Sequence, residues 1–256
     1  MPVSERTAGM DADRRWQGAA DDYARFRPGY PDALVDWVLA EAAVRPGERV
    51  ADVGCGTGIF TRRLAARGLA VVGVDPSRDM LARAHAEGGA QYLRASASAS
   101  GLAGASVALV TVAQAFHWFP LDEALAELAR VLRPGGHVAA VWNLRGQGAF
   151  MDAYDAVLRR FSSDYGVLET WEETLERLRG HPRVRAARSA EFANAQLFEL
   201  EGLRGRAWSS SYVRLGVADR AGFDEALAQL FATHARDGTL AFPYRSVALV
   251  FGLNAA

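Results

Sequence analysis

The stretch Val50-Ala-Asp-Val-Gly-Cys-Gly-Thr-Gly58 decides the fold of this 256-residue chain. It reads as a short apolar strand that runs directly into a loop with glycine at every second position. Ile59, Phe60 and Leu64 follow on one face of a predicted helix. Because glycine has no Cβ atom, the backbone of such a loop can approach a ligand closely. The stretch therefore predicts a ligand-binding turn between a strand and a helix.

Strand and helix patterns alternate on both sides of this turn. Continuous apolar runs predict buried strands over residues 50–53, 70–74, 91–94, 107–113 and 137–142. Segments with helical spacing lie between them and begin near residues 59, 77 and 121. Such alternation indicates a parallel sheet that is covered by helices on both faces. Ligands of such sheets bind beyond the carboxyl ends of the strands, so we expect the functional residues there.

The two ends of the chain follow other patterns. We expect a flexible tail over residues 1–18 and an ordered loop over Tyr23–Pro31, where two prolines and a glycine oppose a long helix. The spacing after residue 144 predicts helices near 149–162, 167–180, 202–214 and 219–236 and strands near 192–200 and 244–252. No linker divides the chain. We therefore expect one domain over 19–256, with a cofactor-binding half at 19–143 and lid helices and closing strands at 144–256.

Composition excludes several classes of function. The 29 basic and 30 acidic residues nearly balance, so no overall positive field attracts nucleic acid or a membrane surface. All the basic residues are arginine, which excludes a lysine-dependent phosphate loop and Schiff-base chemistry. A single cysteine forms no internal disulfide, and the five histidines lack metal-ligand spacing. We expect a cytoplasmic, bacterial protein without a metal, and its oligomeric state stays open.

Two acidic residues lie next to the glycine loop. Asp52 ends the first strand, and Asp75 ends the second strand 21 residues after Gly54, where nucleotide-binding proteins place an acid on the ribose hydroxyls. A carboxylate repels a pyrophosphate but attracts an ammonium or a sulfonium. The G-x-G-x-G spacing also differs from the G-x-G-x-x-G of dinucleotide sites. S-adenosylmethionine is therefore the favoured ligand, and an NAD-dependent oxidoreductase is an alternative.

These motifs resemble the class I S-adenosylmethionine-dependent methyltransferases, and most closely their small-molecule enzymes of the trans-aconitate methyltransferase-like kind. The resemblance implies an α/β fold, a doubly wound, Rossmann-like sheet of seven mostly parallel strands. It also implies an antiparallel last strand, a helical lid inserted after strand five, and methyl transfer to a small organic acceptor by direct displacement. The stretches that carry it are Asp52–Gly58, Val71–Asp75, Ala113–Phe119, Arg130–Gly136, Arg27–Pro31 and Trp208–Tyr212.

The resemblance also implies which residues hold each ligand. The glycines would cradle the methionine and ribose, Asp52 would lie near the amino group directly or through water, and Asp75 would hold the ribose hydroxyls. The complete predicted cofactor set is Tyr23, Arg27, Asp52, Gly54, Cys55, Gly56, Thr57, Gly58, Asp75, Pro76, Met80, Ser96, Ala97, Ala113 and Gln114. The predicted acceptor set is Tyr30, His117, Trp118, Asn143, Arg145, Trp208 and Tyr212.

The catalytic role on the acceptor side is less determined by the sequence. His117 is a candidate general base, but it also fits a histidine that packs beneath the lid. Arginines 27, 145, 206 and 214 are candidates to clamp a carboxylate, although surface solvation explains any one of them. Ser98 and Ala108 stand where the family usually has an acid. A protein that binds S-adenosylmethionine without methylating a substrate is therefore a further alternative.

Overall fold

The computed structural model describes residues 18, 20–166 and 171–254, and these fold around a seven-stranded sheet. The tail predicted over 1–18 lies outside the described residues except for Gly18. The elements in chain order are α1 Ala20–Phe26, α2 Asp32–Glu41, β1 Arg49–Val53, α3 Ile59–Ala65, β2 Ala70–Asp75, α4 Arg78–Glu87, β3 Gln91–Arg94, β4 Val107–Ala113, a 3₁₀ turn Phe116–Trp118, α5 Leu121–Val131, β5 Leu132–Arg145, α6 Ala149–Phe161, α7 Trp171–Gly180, β6 Val184–Phe198, α8 Leu200–Trp208, α9 Ser211–Gly216, α10 Arg220–His234 and β7 Leu240–Leu253.

The strand order is β3-β2-β1-β4-β5-β7-β6. Strands β1 to β5 pair in parallel, whereas β7 runs antiparallel to both β5 and β6. The predicted α/β fold with an antiparallel closing strand is thereby confirmed. The chain winds outward from β1 to β3 and then returns to place β4 beside β1. This reversal of direction opens a crevice at the carboxyl ends of β1 and β4.

Apolar side chains cover both faces of the sheet. On one face, β-strand residues such as Val50 and Leu109 pack with Leu34 of α2 and Leu64 of α3. On the other face, the strands pack against the fully buried apolar side of α5. A third cluster lies beneath the lid helices and has Tyr154, Leu203, Phe223 and Phe242 at its centre. The lid therefore has its own core, which fixes the helices that face the crevice.

Two predicted segments near the crevice differ from the structure. The segment Tyr23–Pro31 is not a loop throughout, because α1 continues to Phe26 and the loop starts at Arg27. The helix predicted over 202–214 is two helices, α8 and α9, since the chain turns at Ser209 and Ser210. The Ser209 hydroxyl donates a 2.8 Å hydrogen bond to the Arg206 carbonyl, which helps to end α8 there.

The late strands are longer than their apolar patterns predicted. Strand β6 begins at Val184 instead of near residue 192, and it pairs with β7 along almost its whole length. Strand β5 also includes the Arg133–Gly136 segment, which precedes the strand predicted over residues 137–142. Most of β6 is exposed, so its sequence carries little apolar signal and its boundaries come from backbone pairing. No helix in the described part of the chain is long and apolar enough to cross a membrane.

Candidate functional site

The glycine loop between β1 and α3 takes a conformation that other residues would disturb. Gly54 has a φ of +71°, and a Cβ atom there would lie 2.5 Å from the Ala115 Cβ. Gly58 has a φ of +78°, and a Cβ atom there would lie 2.5 Å from the Tyr92 hydroxyl. Both positions combine a left-handed backbone with close packing, so only glycine fits them without strain. At these two positions the loop therefore presents backbone without a side chain.

Asp75 connects the end of β2 to this loop. Its Oδ2 accepts a 2.8 Å hydrogen bond from the Gly56 amide, and its Oδ1 accepts a 2.9 Å hydrogen bond from the Ser77 amide. The Ser77 hydroxyl in turn accepts from the Met80 amide and caps α4. The Asp75 side chain is nearly buried and lines the crevice. A negative charge is thus held at a fixed point beside the glycine backbone.

Asp52 lies deeper, beneath the loop. The residue is fully buried, and its two carboxylate oxygens accept hydrogen bonds from the hydroxyls of Thr61 at 2.6 Å and Thr111 at 2.7 Å. Burial raises the pKa of Asp52 to about 6, although the two hydroxyl groups oppose this increase. Asp52 is not among the residues that line the crevice. It therefore acts on a ligand through its charge or through water rather than by side-chain contact.

Two adjoining cavities open around the glycine loop, and both are lined by Tyr23, Gly54, Gly56, Ala113 and Gln114. The first extends towards the loop that follows α1. Its further predicted residues are Arg27, Tyr30, Cys55, Thr57 and Asn143. The second extends towards α4. The other predicted residues that line it are Asp75, Pro76, Met80 and Trp118. Phe119 also lines this cavity, although the sequence analysis did not select it.

A larger cleft of about 500 Å³ continues from the first cavity beneath the lid. Gln114 lines all three spaces, and its backbone has a φ of +60°, which is uncommon for a residue with a side chain. Its Nε2 donates a 3.1 Å hydrogen bond to the Asn143 carbonyl. Gln114 therefore marks the junction between the cavities and the cleft. The predicted residues in the cleft are Arg27, Gln114, His117, Asn143, Arg145 and Tyr212.

Several predicted site residues are not brought to these spaces. Trp208 packs within the lid, where its Nε1 donates a 2.8 Å hydrogen bond to Asp224 Oδ1. Ser96 is exposed, and Ala97 packs in the core beside the sheet. Gly58 shapes the loop, but it does not line the cavities. Trp208 was expected at the acceptor because of its motif, whereas the packing of α8 on α10 directs its ring elsewhere.

Comparison with known proteins decides the family. A family model described as a methyltransferase domain matches residues 51–140. An uncharacterized methyltransferase of Schizosaccharomyces pombe is 30% identical over 216 residues, which cover 83% of this chain and 85% of the relative. The chain belongs to the class I S-adenosylmethionine-dependent methyltransferases.

Two further similar proteins support this family assignment. An uncharacterized methyltransferase of Mycobacterium tuberculosis is 45% identical over 130 residues, which cover 50% of this chain and 52% of the relative. That match thus spans about half the length of the curated relative. A solved structure from Anaeromyxobacter dehalogenans, assigned by name to the type II methyltransferases, has a TM-score of 0.60 and 28% identity and covers 89% of this chain and 97% of that one.

The residues of the methyltransferase fit its cofactor, S-adenosylmethionine. The glycine backbone leaves a cradle that Cβ atoms would disturb, and Asp75 supplies a carboxylate for a ribose diol. The Thr57 hydroxyl in the first cavity is buried and has no hydrogen-bond partner within the described chain. Met80 and Phe119 form apolar walls that suit a purine. The site thus has the parts that a nucleoside without phosphates needs.

The cleft of the methyltransferase also contains Arg206, which the sequence analysis considered only as one of several possible carboxylate clamps. Arg206 is 4% exposed and lines both the first cavity and the cleft. A signal for its burial was present in the sequence, because Leu203 and Ala207 lie on the same face of α8. Residues four positions apart are neighbours on a helix surface, and the residues four positions before and after Arg206 are Gly202 and Ser210. Neither of them is an acidic partner for Arg206.

Charged groups of the cleft shift the ionisation of its tyrosines. Burial by itself raises the pKa of Tyr212, but the guanidinium groups of Arg145 and Arg206 outweigh burial and hold that pKa below its usual value. For Arg27, burial and the charge of Arg206 lower the pKa. Burial also raises the pKa of the Cys55 thiol, which leaves it unreactive beside the glycine loop. The cleft is therefore a positively charged environment.

Proposed function

We propose that this methyltransferase transfers a methyl group from S-adenosylmethionine to a small organic acceptor by direct displacement. When bound, the cofactor supplies a sulfonium methyl group; an acceptor lone pair forms the new bond, the electrons of the broken C–S bond return to sulfur, and S-adenosylhomocysteine leaves. The observation that supports this proposal best is the meeting at Gln114 of two cavities beside the glycine loop and a larger cleft beneath the lid. Alignment of two reactants at such a junction accounts for much of the acceleration in a displacement reaction.

The side chains of the crevice have separate tasks in this proposal. The glycine loop and Asp75 orient the nucleoside, and the buried charge of Asp52 favours a cationic ligand above them. Tyr23 and Tyr30 line the first cavity and give it aromatic walls. His117 lines the acceptor cleft and remains the candidate base for an acceptor that must lose a proton. An acceptor that is already ionised needs no base.

The membership of a finer subgroup is also part of the proposal. The two weaker motifs of the trans-aconitate methyltransferase-like kind, Arg27–Pro31 and Trp208–Tyr212, lie together, because an Arg27 Nη2 donates a 3.1 Å hydrogen bond to the Ser209 carbonyl. This contact supports a shared role for them in closing the site over a small molecule. We retain a bacterial, cytoplasmic enzyme as the expected setting.

Ser98 and Ala108, which replace acids that the family usually has, are compatible with the proposed activity. Ala108 is buried in the core of the sheet, and neither Ala108 nor Ser98 lines the two cavities or the cleft. The missing acids therefore remove no group from those walls. A nicotinamide dinucleotide is disfavoured by the G-x-G-x-G spacing of the loop and by Asp52, whose charge beneath the loop would repel a pyrophosphate.

Product formation tests the proposed function. The purified protein is incubated with S-adenosylmethionine and a panel of small acids, amines, phenols and thiols, and S-adenosylhomocysteine is measured by mass spectrometry. We expect product with at least one acceptor class, together with an acceptor that is heavier by one methylene unit. Binding of S-adenosylhomocysteine without turnover across the whole panel would instead support the non-methylating alternative. A His117→Ala variant with full turnover would exclude His117 as the base.

A further inference from the structure

We infer that the acceptor is a small organic oxyanion, whose acidic group is held by Arg206 and Arg145 in the cleft beneath the lid. The inference rests on the proposed function, since it assigns a chemical class to the molecule that occupies the cleft. It follows from the buried guanidinium of Arg206, for which the described residues provide no carboxylate partner, and from the further arginines around it. It also selects among the four arginines that the sequence offered, because Arg214 does not line the cleft.

Arg206 is the strongest evidence. Its side chain is almost completely buried, and its two described hydrogen bonds go to neutral groups. Nε donates to the Tyr244 hydroxyl at 2.7 Å and Nη1 donates to the Ser210 hydroxyl at 3.0 Å. Within the described residues, no carboxylate forms an ion pair with it. A buried guanidinium without a counter-ion is costly, so its retention at a cavity wall indicates an anionic ligand.

Arg145 and Arg27 extend the positive surface around Arg206. The Nη1 of Arg145 is buried and has no hydrogen-bond partner in the described chain. Its nearest described carboxylate, Asp155, lies 3.9 Å away and is bound more closely by Arg159 at 2.6 Å. The Nε of Arg27 is likewise buried without a partner in that part of the chain. The described chain therefore leaves one buried donor of Arg145 and one of Arg27 at this cleft without a protein acceptor.

The other charged residues of the cleft do not neutralise this cluster. Arg245 forms an ion pair with Glu191 at 3.0 Å and is therefore compensated. Among the described residues that line the cleft, Glu172 is the acidic one, and it lies exposed at the start of α7. The amino-acid part of the cofactor brings a single carboxylate. Arg27 and Arg206 both border the first cavity, so one carboxylate leaves further positive charge for the acceptor.

Matched probes test the inference by calorimetry on the full chain with saturating S-adenosylhomocysteine. Benzoate and phenyl phosphate are compared with the neutral benzamide and phenol, and succinate is compared with succinamide. We expect at least one acid to bind about tenfold or more tightly than its neutral partner, and to bind less tightly as salt is added. The acid that binds best distinguishes a carboxylate from a phosphate. Equal or weaker binding of every acid would overturn the inference.

A pair of variants locates the binding group. Arg206→Gln is expected to weaken binding of the preferred acid about tenfold or more, whereas Arg204→Gln removes the same charge from the same helix outside the cleft and leaves it unchanged. Arg145→Gln gives a second, less buried test if Arg206→Gln does not fold. Unchanged acid binding in the folded cleft variants would contradict the assignment. Failure of S-adenosylhomocysteine itself to bind would instead contradict the proposed function. In that case, the acids and their neutral partners can be compared on the protein without S-adenosylhomocysteine, and this comparison still tests the cleft.

Discussion

At the scale of single residues, Asp52 shows how the site stores a charge. Its pKa is about 6 because burial disfavours the carboxylate, whereas an unfolded chain leaves an aspartate near its ordinary value. The folded state therefore holds the proton more tightly. This contribution to stability is fully present at low pH and is lost as the pH rises to about 6. The shift of roughly two units corresponds to about 3 kcal/mol.

Asp52→Asn should therefore remove this dependence on pH. The amide can accept from one threonine hydroxyl and donate to the other, so the hydrogen bonds to Thr61 and Thr111 can be kept. We expect the wild type to lose about 3 kcal/mol of unfolding free energy relative to the variant between about pH 3 and pH 8. Urea unfolding at several pH values measures this difference. Parallel stability curves for the two proteins would show that Asp52 ionises normally.

The sequence predicted the positions of the residues at strand ends well and those of the lid residues poorly. Gly54, Asp75 and Gln114 follow strands whose apolar runs are continuous, so their place at the carboxyl edge follows from the sheet alone. Trp208 and Arg206 lie two residues apart on α8, and of the two only Arg206 lines the cleft. Which face of a lid helix meets the cleft depends on its packing against other helices, which local spacing does not determine.

At the scale of elements, α1 depends on α8 for its position over the first cavity. A Cβ atom on Gly205 of α8 would lie 2.3 Å from Cζ of Phe26 in α1. The ring therefore rests directly on the helix backbone. Because Tyr23 of the same α1 lines both cavities, this contact connects the lid to the cofactor site. The sequence predicted a loop here, since Pro28 and Gly29 obscured the short helix before them.

Gly205→Ala tests this connection. Helix propensity alone favours alanine by about 1 kcal/mol, but the added methyl group collides with the ring and overpacking costs roughly 1–3 kcal/mol. We expect a lower melting temperature and weaker binding of S-adenosylhomocysteine. Gly180→Ala, at the end of α7 where nothing lies within 4 Å, is the control and should leave both unchanged or slightly improved. Unaltered binding in Gly205→Ala would mean that α1 is positioned independently of α8.

At the scale of the whole molecule, the sheet and the lid divide the site between them. The alternation of strands and helices predicted a parallel sheet with the functional residues beyond the carboxyl ends of its strands, and the observed strand order places the crevice at β1 and β4, where the chain reverses direction. The acceptor cleft arises where the lid helices and the ends of β4 and β5 meet. Its positive charge comes from arginines that are distant in sequence, so only the folded chain brings them together.

Calorimetric titration of the full chain with S-adenosylhomocysteine and with NADH tests the account most directly. We expect the first ligand to bind and NADH to give no heat. Asp75→Ala should weaken the binding of S-adenosylhomocysteine by roughly 1.5–3 kcal/mol through loss of a charged hydrogen bond. The exposed neighbour Asp79 provides the control, and Asp79→Ala should bind as the wild type does. Binding of NADH without binding of S-adenosylhomocysteine would contradict the account.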